Sequence, residues 1–139
     1  MKKALPIVFA MLLLVTICYT QIGHLSNAFA EDFEISIALS PETVVLSNKA
    51  EGFCGIHAGI GYWAVDKSTL KLTSEHGEII NIDVAKADSY GDLIVMVSLE
   101  KVKAIVSPPS TTLTLSGYTN GGVLFYGSDI VRVRGRTKE

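Results

Sequence analysis

From Phe33 onward, apolar residues recur at every second position or in short unbroken runs, and this pattern restricts the fold more than any other feature of the 139-residue chain. Phe33, Ile35, Ile37 and Leu39 alternate with Glu34 and Ser36, the period of a strand with one wet face. Ser40-Pro41-Glu42 breaks the run, and residues 43–46 resume it. Residues 53–65 predict one long strand, or a pair with a bulge, and residues 69–73 and 78–84 predict a hairpin around Glu75-His76-Gly77. Residues 92–99 are almost wholly apolar, as expected of a central strand covered on both faces. Residues 111–115, 122–125 and 129–134 complete the set, with turns at Asn120-Gly121 and Tyr126-Gly127-Ser128.

Helical spacing is confined to Leu99–Ile105, through Leu99, Val102, Lys103 and Val106, and Pro108-Pro109 stops it. Short strands at regular spacing with no helix of three turns predict an all-β Greek-key sandwich of two sheets, with about seven to nine strands. The end of the chain carries a resemblance. Leu113-Thr114-Leu115-Ser116-Gly117, Asn120-Gly121-Gly122 and Phe125-Tyr126-Gly127-Ser128-Asp129-Ile130-Val131-Arg132-Val133 resemble the closing strands of immunoglobulin-like modules of exported prokaryotic proteins. Ile56-His57 through Val65-Asp66, and Ala87 through Leu93, resemble the middle of the same modules, so the likeness covers most of residues 40–134. It implies an immunoglobulin-like fold and the duties such modules usually have, as spacers or attachment units beside other domains. One such unit standing alone behind its leader argues against a pure spacer.

Residues 1–30 read as an export signal: Met1-Lys2-Lys3, an apolar stretch from Leu5 to Cys18, a polar segment, and Ala28-Phe29-Ala30 before Glu31-Asp32. The apolar stretch is shorter than the roughly 20 residues a membrane-spanning helix needs, so cleavage after Ala30 is expected, with no membrane span left. An uncleaved anchor is the alternative. Residues 31–139 then form a single β-sandwich domain in the periplasm or outside the cell. Loss of Lys2 and Lys3 leaves 10 of the 12 basic side chains against 14 acidic ones, a net charge of −4. That balance speaks against a nucleic-acid partner, which needs a positive surface. Cys18 departs with the leader, so Cys54 has no internal partner and stability rests on packing.

Five groups of residues invite a chemical reading. On a strand over residues 53–65, His57 and Trp63 share a face with Gly55, Gly59 and Gly61, a strip on which a sugar ring could stack against the indole; the competing expectation folds Trp63 into the sandwich core. Cys54 and His57 suggest a nucleophile and base for a small cysteine-dependent hydrolase, but a separation of three places them on opposite faces, and a buried, inert thiol is preferred. Asp83, Asp88 and Asp92, with Asp66, could offer oxygen ligands to calcium; the preferred reading makes Asp88 and Asp129 turn caps, with Gly91 and Gly127 at positive φ. His76 sits at the hairpin turn, and no ligand set for zinc is present. Arg132, Arg134 and Arg136 would line one side of an edge strand and discourage sheet-to-sheet pairing. The function expected is a non-enzymatic binding or accessory module acting on a protein partner or a surface glycan, without a cofactor unless calcium binds; the alternative is the thiol enzyme.

Overall fold

Ten strands and one helix follow one another along the described chain: β1 (Phe33–Glu34), β2 (Ile37–Ser40), β3 (Thr43–Val45), β4 (Phe53–Gly61), β5 (Val65–Ser74), β6 (Ile79–Asn81), β7 (Val84–Ala87), β8 (Asp92–Ser98), α1 (Leu99–Ile105), β9 (Ser110–Thr119) and β10 (Leu124–Arg134). The computed structural model describes residues 31–47, 49 and 51–135. The leader read in residues 1–30, and Arg136, lie outside the described residues.

Two sheets face each other. One has the order β2-β4-β8-β7 and the other β1-β10-β9-β5-β6, with β3 also beside β10. These are the immunoglobulin orders A-B-E-D and G-F-C-C′. Period-two burial builds the core. Cys54, Ile56 and Ala58 of β4 and Leu93, Val95 and Val97 of β8 face Leu113 and Leu115 of β9 and Phe125, Val131 and Val133 of β10, all of them buried. Each large side chain so placed contributes about 1.5–3 kcal/mol relative to exposure. Helix α1 is capped by the Ser98 hydroxyl, which accepts from the Lys101 N–H at 3.4 Å. It lays Val102 and Ile105 over one end of the core.

Ten strands replace the seven to nine expected, because the chain changes sheets inside two segments that read as single strands. Within residues 33–39, the Ile35 N–H donates to Tyr126 O at 2.8 Å in one sheet, and one residue later Ser36 O accepts from the Gly59 N–H at 2.8 Å in the other. Within residues 78–84, the chain leaves β6 and enters β7 through Ile82 and Asp83. The expected turn at Tyr126-Gly127-Ser128 is absent: β10 runs unbroken through it, in register with β9 from Leu124 to Arg132.

That correction changes the roles of Gly127 and Asp129. Gly127 is not at positive φ; a Cβ there would lie 2.6 Å from Ile35 O and 2.8 Å from Ile37 Cγ2. The glycine is needed where β10 meets the chain stepping from one sheet to the other. Asp129 caps no turn. It sits mid-strand between β1 and β3, and its Oδ2 accepts from the Leu39 N–H of β2 at 3.1 Å while Oδ1 accepts from the Ile130 N–H at 2.9 Å. Arg132 and Arg134 are not on a free edge either, since β3 pairs alongside β10 through residues 132–134.

Candidate binding site

The end of the sandwich opposite α1 is formed by three connections: the 3-10 turn Tyr62–Ala64 between β4 and β5, the turn at residues 88–91 between β7 and β8, and the turn at residues 120–123 between β9 and β10. Backbone hydrogen bonds tie them together. The Tyr62 N–H donates to Gly91 O at 2.9 Å, and the Asn120 N–H to Ala64 O at 2.9 Å; Asn120 Nδ2 donates to Trp63 O at 2.8 Å. Asp88 fixes its own turn, its Oδ1 accepting from the N–H groups of Tyr90 at 2.8 Å and Asp92 at 2.9 Å. Gly91 closes it at φ 84°.

This end is aromatic and wet. Trp63 is 78% exposed and Tyr90 90% exposed. The Trp63 and Tyr62 rings meet edge to face, 4.9 Å apart with 83° between their planes, a favoured aromatic arrangement. Lys67 Nζ lies 3.9 Å from the Tyr62 ring centre and 5.3 Å from that of Trp63, within cation–π range. The expected burial of Trp63 in the core does not occur. The β4–β8 register shifts between Ala58 and Gly61, β4 ends there, and Val65, at 1% exposure, takes the core position instead.

Beside this end, on the outer face of the β2-β4-β8-β7 sheet, lies a shallow groove of about 280 Å³ bounded by Ser36, Ile37, Ala38, His57, Ala58, Gly59, Asp88 and Asp92. Gly59 is its floor: a Cβ there would come 2.6 Å from Ser36 Oγ. His57, Asp88 and Asp92 are thus brought to one groove, and Trp63, on the neighbouring turn, is not among the groove's walls.

Other expected pairings are not assembled. Cys54 is completely buried on the inner face of β4 while His57 is exposed on the outer. Burial pushes the Cys54 thiol up, partly offset by a backbone hydrogen bond from Ser40, which is the reverse of an activated nucleophile. Asp83 does not join Asp88 and Asp92, because the whole of β7 separates them, a span of roughly 16 Å. Its carboxylate accepts instead from the Ser98 N–H at 2.8 Å and pairs with Lys101 Nζ at 2.6 Å. Asp66 is taken by Ser68, whose Oγ donates to it at 2.6 Å. Among the described residues no group of three His, Cys, Asp or Glu side chains could hold a metal ion.

The reading from sequence missed Tyr62, Tyr90, Lys67 and Asn120. Tyr90 could have been found from its place in Asp88-Ser89-Tyr90-Gly91, whose cap and closing glycine hold a turn tip in solvent. Tyr62 and Asn120 depend on pairings between distant residues and left no local signal. Among the described residues no helix is long and apolar enough to cross a membrane.

No protein-family model matches the chain, and no curated protein sequence does. Among solved structures it is similar to the crystal structure of CopC from Methylosinus trichosporium OB3b, at 14% identity and a TM-score of 0.44, over 76% of this chain and 98% of that one. Its own sheet orders place the chain among the immunoglobulin-like β-sandwiches.

Proposed function

We propose that the chain is an exported, non-catalytic binding domain, delivered to the periplasm or the cell exterior by its leader, and that it takes a surface glycan on the aromatic end. One observation carries this reading: Trp63 stays 78% exposed on a turn whose backbone is tied to both neighbouring turns. An indole held rigidly in water gives a ligand a large apolar face at small cost in conformational entropy. The turns that cluster at this end of an immunoglobulin-like sandwich are also the positions at which such folds carry binding loops. Sugar rings present a flat C–H face to an aromatic ring, and Asn120, whose Nδ2 donates to Trp63 O at 2.8 Å, stands close by for hydroxyl groups.

Trp63 is the chain's sole tryptophan, so its emission reports the site directly. Titration with polysaccharide fragments of the native envelope is expected to shift or quench that emission, and Trp63→Ala is expected to weaken binding at least about tenfold, the loss of a hot-spot aromatic. Emission indifferent to every glycan fraction, together with unchanged binding by Trp63→Ala, would defeat the reading; a protein ligand that bound the same rings would replace it. Export has a separate check: the amino terminus of the protein recovered from outside the cytoplasm is expected to be Glu31.

A further inference from the structure

The groove beside the aromatic end is built from different chemistry, and that chemistry narrows the ligand. Four polar side chains border it, Ser36, His57, Asp88 and Asp92, and they come from three separate places in the chain, the two aspartates from one turn. Asp88 Oδ1 is occupied by the Tyr90 and Asp92 N–H groups, which leaves its other oxygen and the whole Asp92 carboxylate for a ligand. Among the described residues neither carboxylate has an ion-pair partner, and no Lys or Arg borders the groove. A bare metal ion does not suit it, since no three acidic, His or Cys donors converge there. At about 280 Å³ the space lies at the small end of ligand pockets, suited to one ring rather than to a folded partner.

We propose that the groove binds one hexosamine unit with a free ammonium group, held between Asp88 and Asp92, while the next unit of the same glycan stacks on the aromatic end. The inference rests on the glycan reading above. The two sites are contiguous through one turn: Asp88 and Asp92 flank it, Tyr90 is its tip, and its Gly91 carbonyl accepts from Tyr62. Two unpaired carboxylates attract an ammonium and reject uronates and other anionic sugars. Acetylation of the amine removes the charge, so N-acetylated units are disfavoured by the same feature.

The test uses the processed protein, residues 31–139, and tetramers of glucosamine, N-acetylglucosamine and glucose, with a tetragalacturonate, followed by calorimetry and by Trp63 emission. The glucosamine tetramer is expected to bind at least about tenfold more tightly than the acetylated or neutral ones, and the uronate not at all. Asp92→Asn, at a side chain with no internal hydrogen bond to lose, is expected to abolish that preference, and Trp63→Ala to weaken all binding while preserving it. Equal affinity for the acetylated and free-amine tetramers, untouched by Asp92→Asn, overturns the inference and leaves the glycan reading standing. Silence from all four tetramers and from envelope glycans overturns both. Tight binding of a lysine-rich peptide in place of the sugars assigns the carboxylates to a protein ligand and overturns the inference.

Discussion

At the α1 end of the sandwich Val102 and Ile105 are buried, closing the core as a lid would. At the other end the largest apolar side chains, Trp63 and Tyr90, remain 78% and 90% exposed. The same two sheets end in both places, so the difference is not imposed by the architecture. The α1 end shows that the chain can supply apolar residues to close its core where the fold needs them; the aromatic end shows residues that the core does not use. Apolar surface held in water with its backbone fixed is costly to leave idle, which is why that end is the one read as a binding surface.

The sharpest way to break this contrast is to damage each end and compare. Val102→Asp puts an unpaired charge at a fully buried position, and a loss of about 4 kcal/mol or more in urea unfolding is expected. Trp63→Ala removes the edge contact with Tyr62 and is expected to cost only about 0.5–1.5 kcal/mol. If the two losses came out alike, Trp63 would be a structural residue and the division between the ends would disappear.

Next in size are the two close approaches. Gly127→Ala sets a Cβ 2.6 Å from the Ile35 carbonyl, a backbone atom that cannot turn aside, and about 2–3 kcal/mol of destabilisation follows. Gly59→Ala meets first the Ser36 hydroxyl at 2.6 Å, then the Ser36 carbonyl at 3.3 Å. Its cost should be smaller, about 1–2 kcal/mol, and Ser36→Gly in the same molecule should recover most of it. No recovery would mean that the backbone, not the hydroxyl, sets the groove floor.

Much of the sandwich was legible because period-two burial is a local property. In β8 and the flanks of β10 every second residue is apolar and buried, and β9 keeps the same rhythm, with Thr111 buried in line with Leu113 and Leu115. Where the chain switches sheets the same pattern misleads. Ile35 and Leu39 both face the core although they belong to opposite sides of the crossing, so the alternation runs through the break without a mark. The Gly-Ser-Asp at 127–129 has turn composition, yet its duties lie with Ile35 and with Leu39, 90 residues from Asp129. At the candidate site, His57, Asp88, Asp92 and Trp63 were legible as residue types suited to binding. Their gathering was not, because it depends on the bulge after Ala58 and on Tyr62 bonding to Gly91, and no stretch of sequence records that pairing.

Smaller again is the response of Cys54. Its thiol is buried and pushed up by desolvation, so alkylation by iodoacetamide in the folded protein should run slower than in the urea-unfolded protein at every pH up to about 9. Mass spectrometry of the modified fraction against time gives the comparison. A folded-state rate above the unfolded one would restore the thiol chemistry that the opposite facing of Cys54 and His57 denies.

The smallest expected effect concerns Asp83, and it separates the two ends by pH. Beside Asp83 the Lys101 ammonium, then the Ser98 N–H, favour the carboxylate and hold its pKa below the ordinary value. A folded pKa below the unfolded one means the unfolded chain takes up the proton first on acidification. The stabilisation is therefore complete above the usual carboxylate range and is lost as the pH falls through the depressed folded value. Asp83→Asn should lower the melting temperature slightly and by a constant amount between about pH 5 and 7, and the gap should close below about pH 4. Both partners are solvent-exposed, so 1 M salt should narrow the gap as well. Trp63→Ala alters no titrating group, and its deficit should persist unchanged through the acid range. A Trp63→Ala deficit that shrank in parallel with that of Asp83→Asn would mean that acid loosens the whole sandwich at once, and that the α1 end owes nothing particular to the contact between Asp83 and its helix.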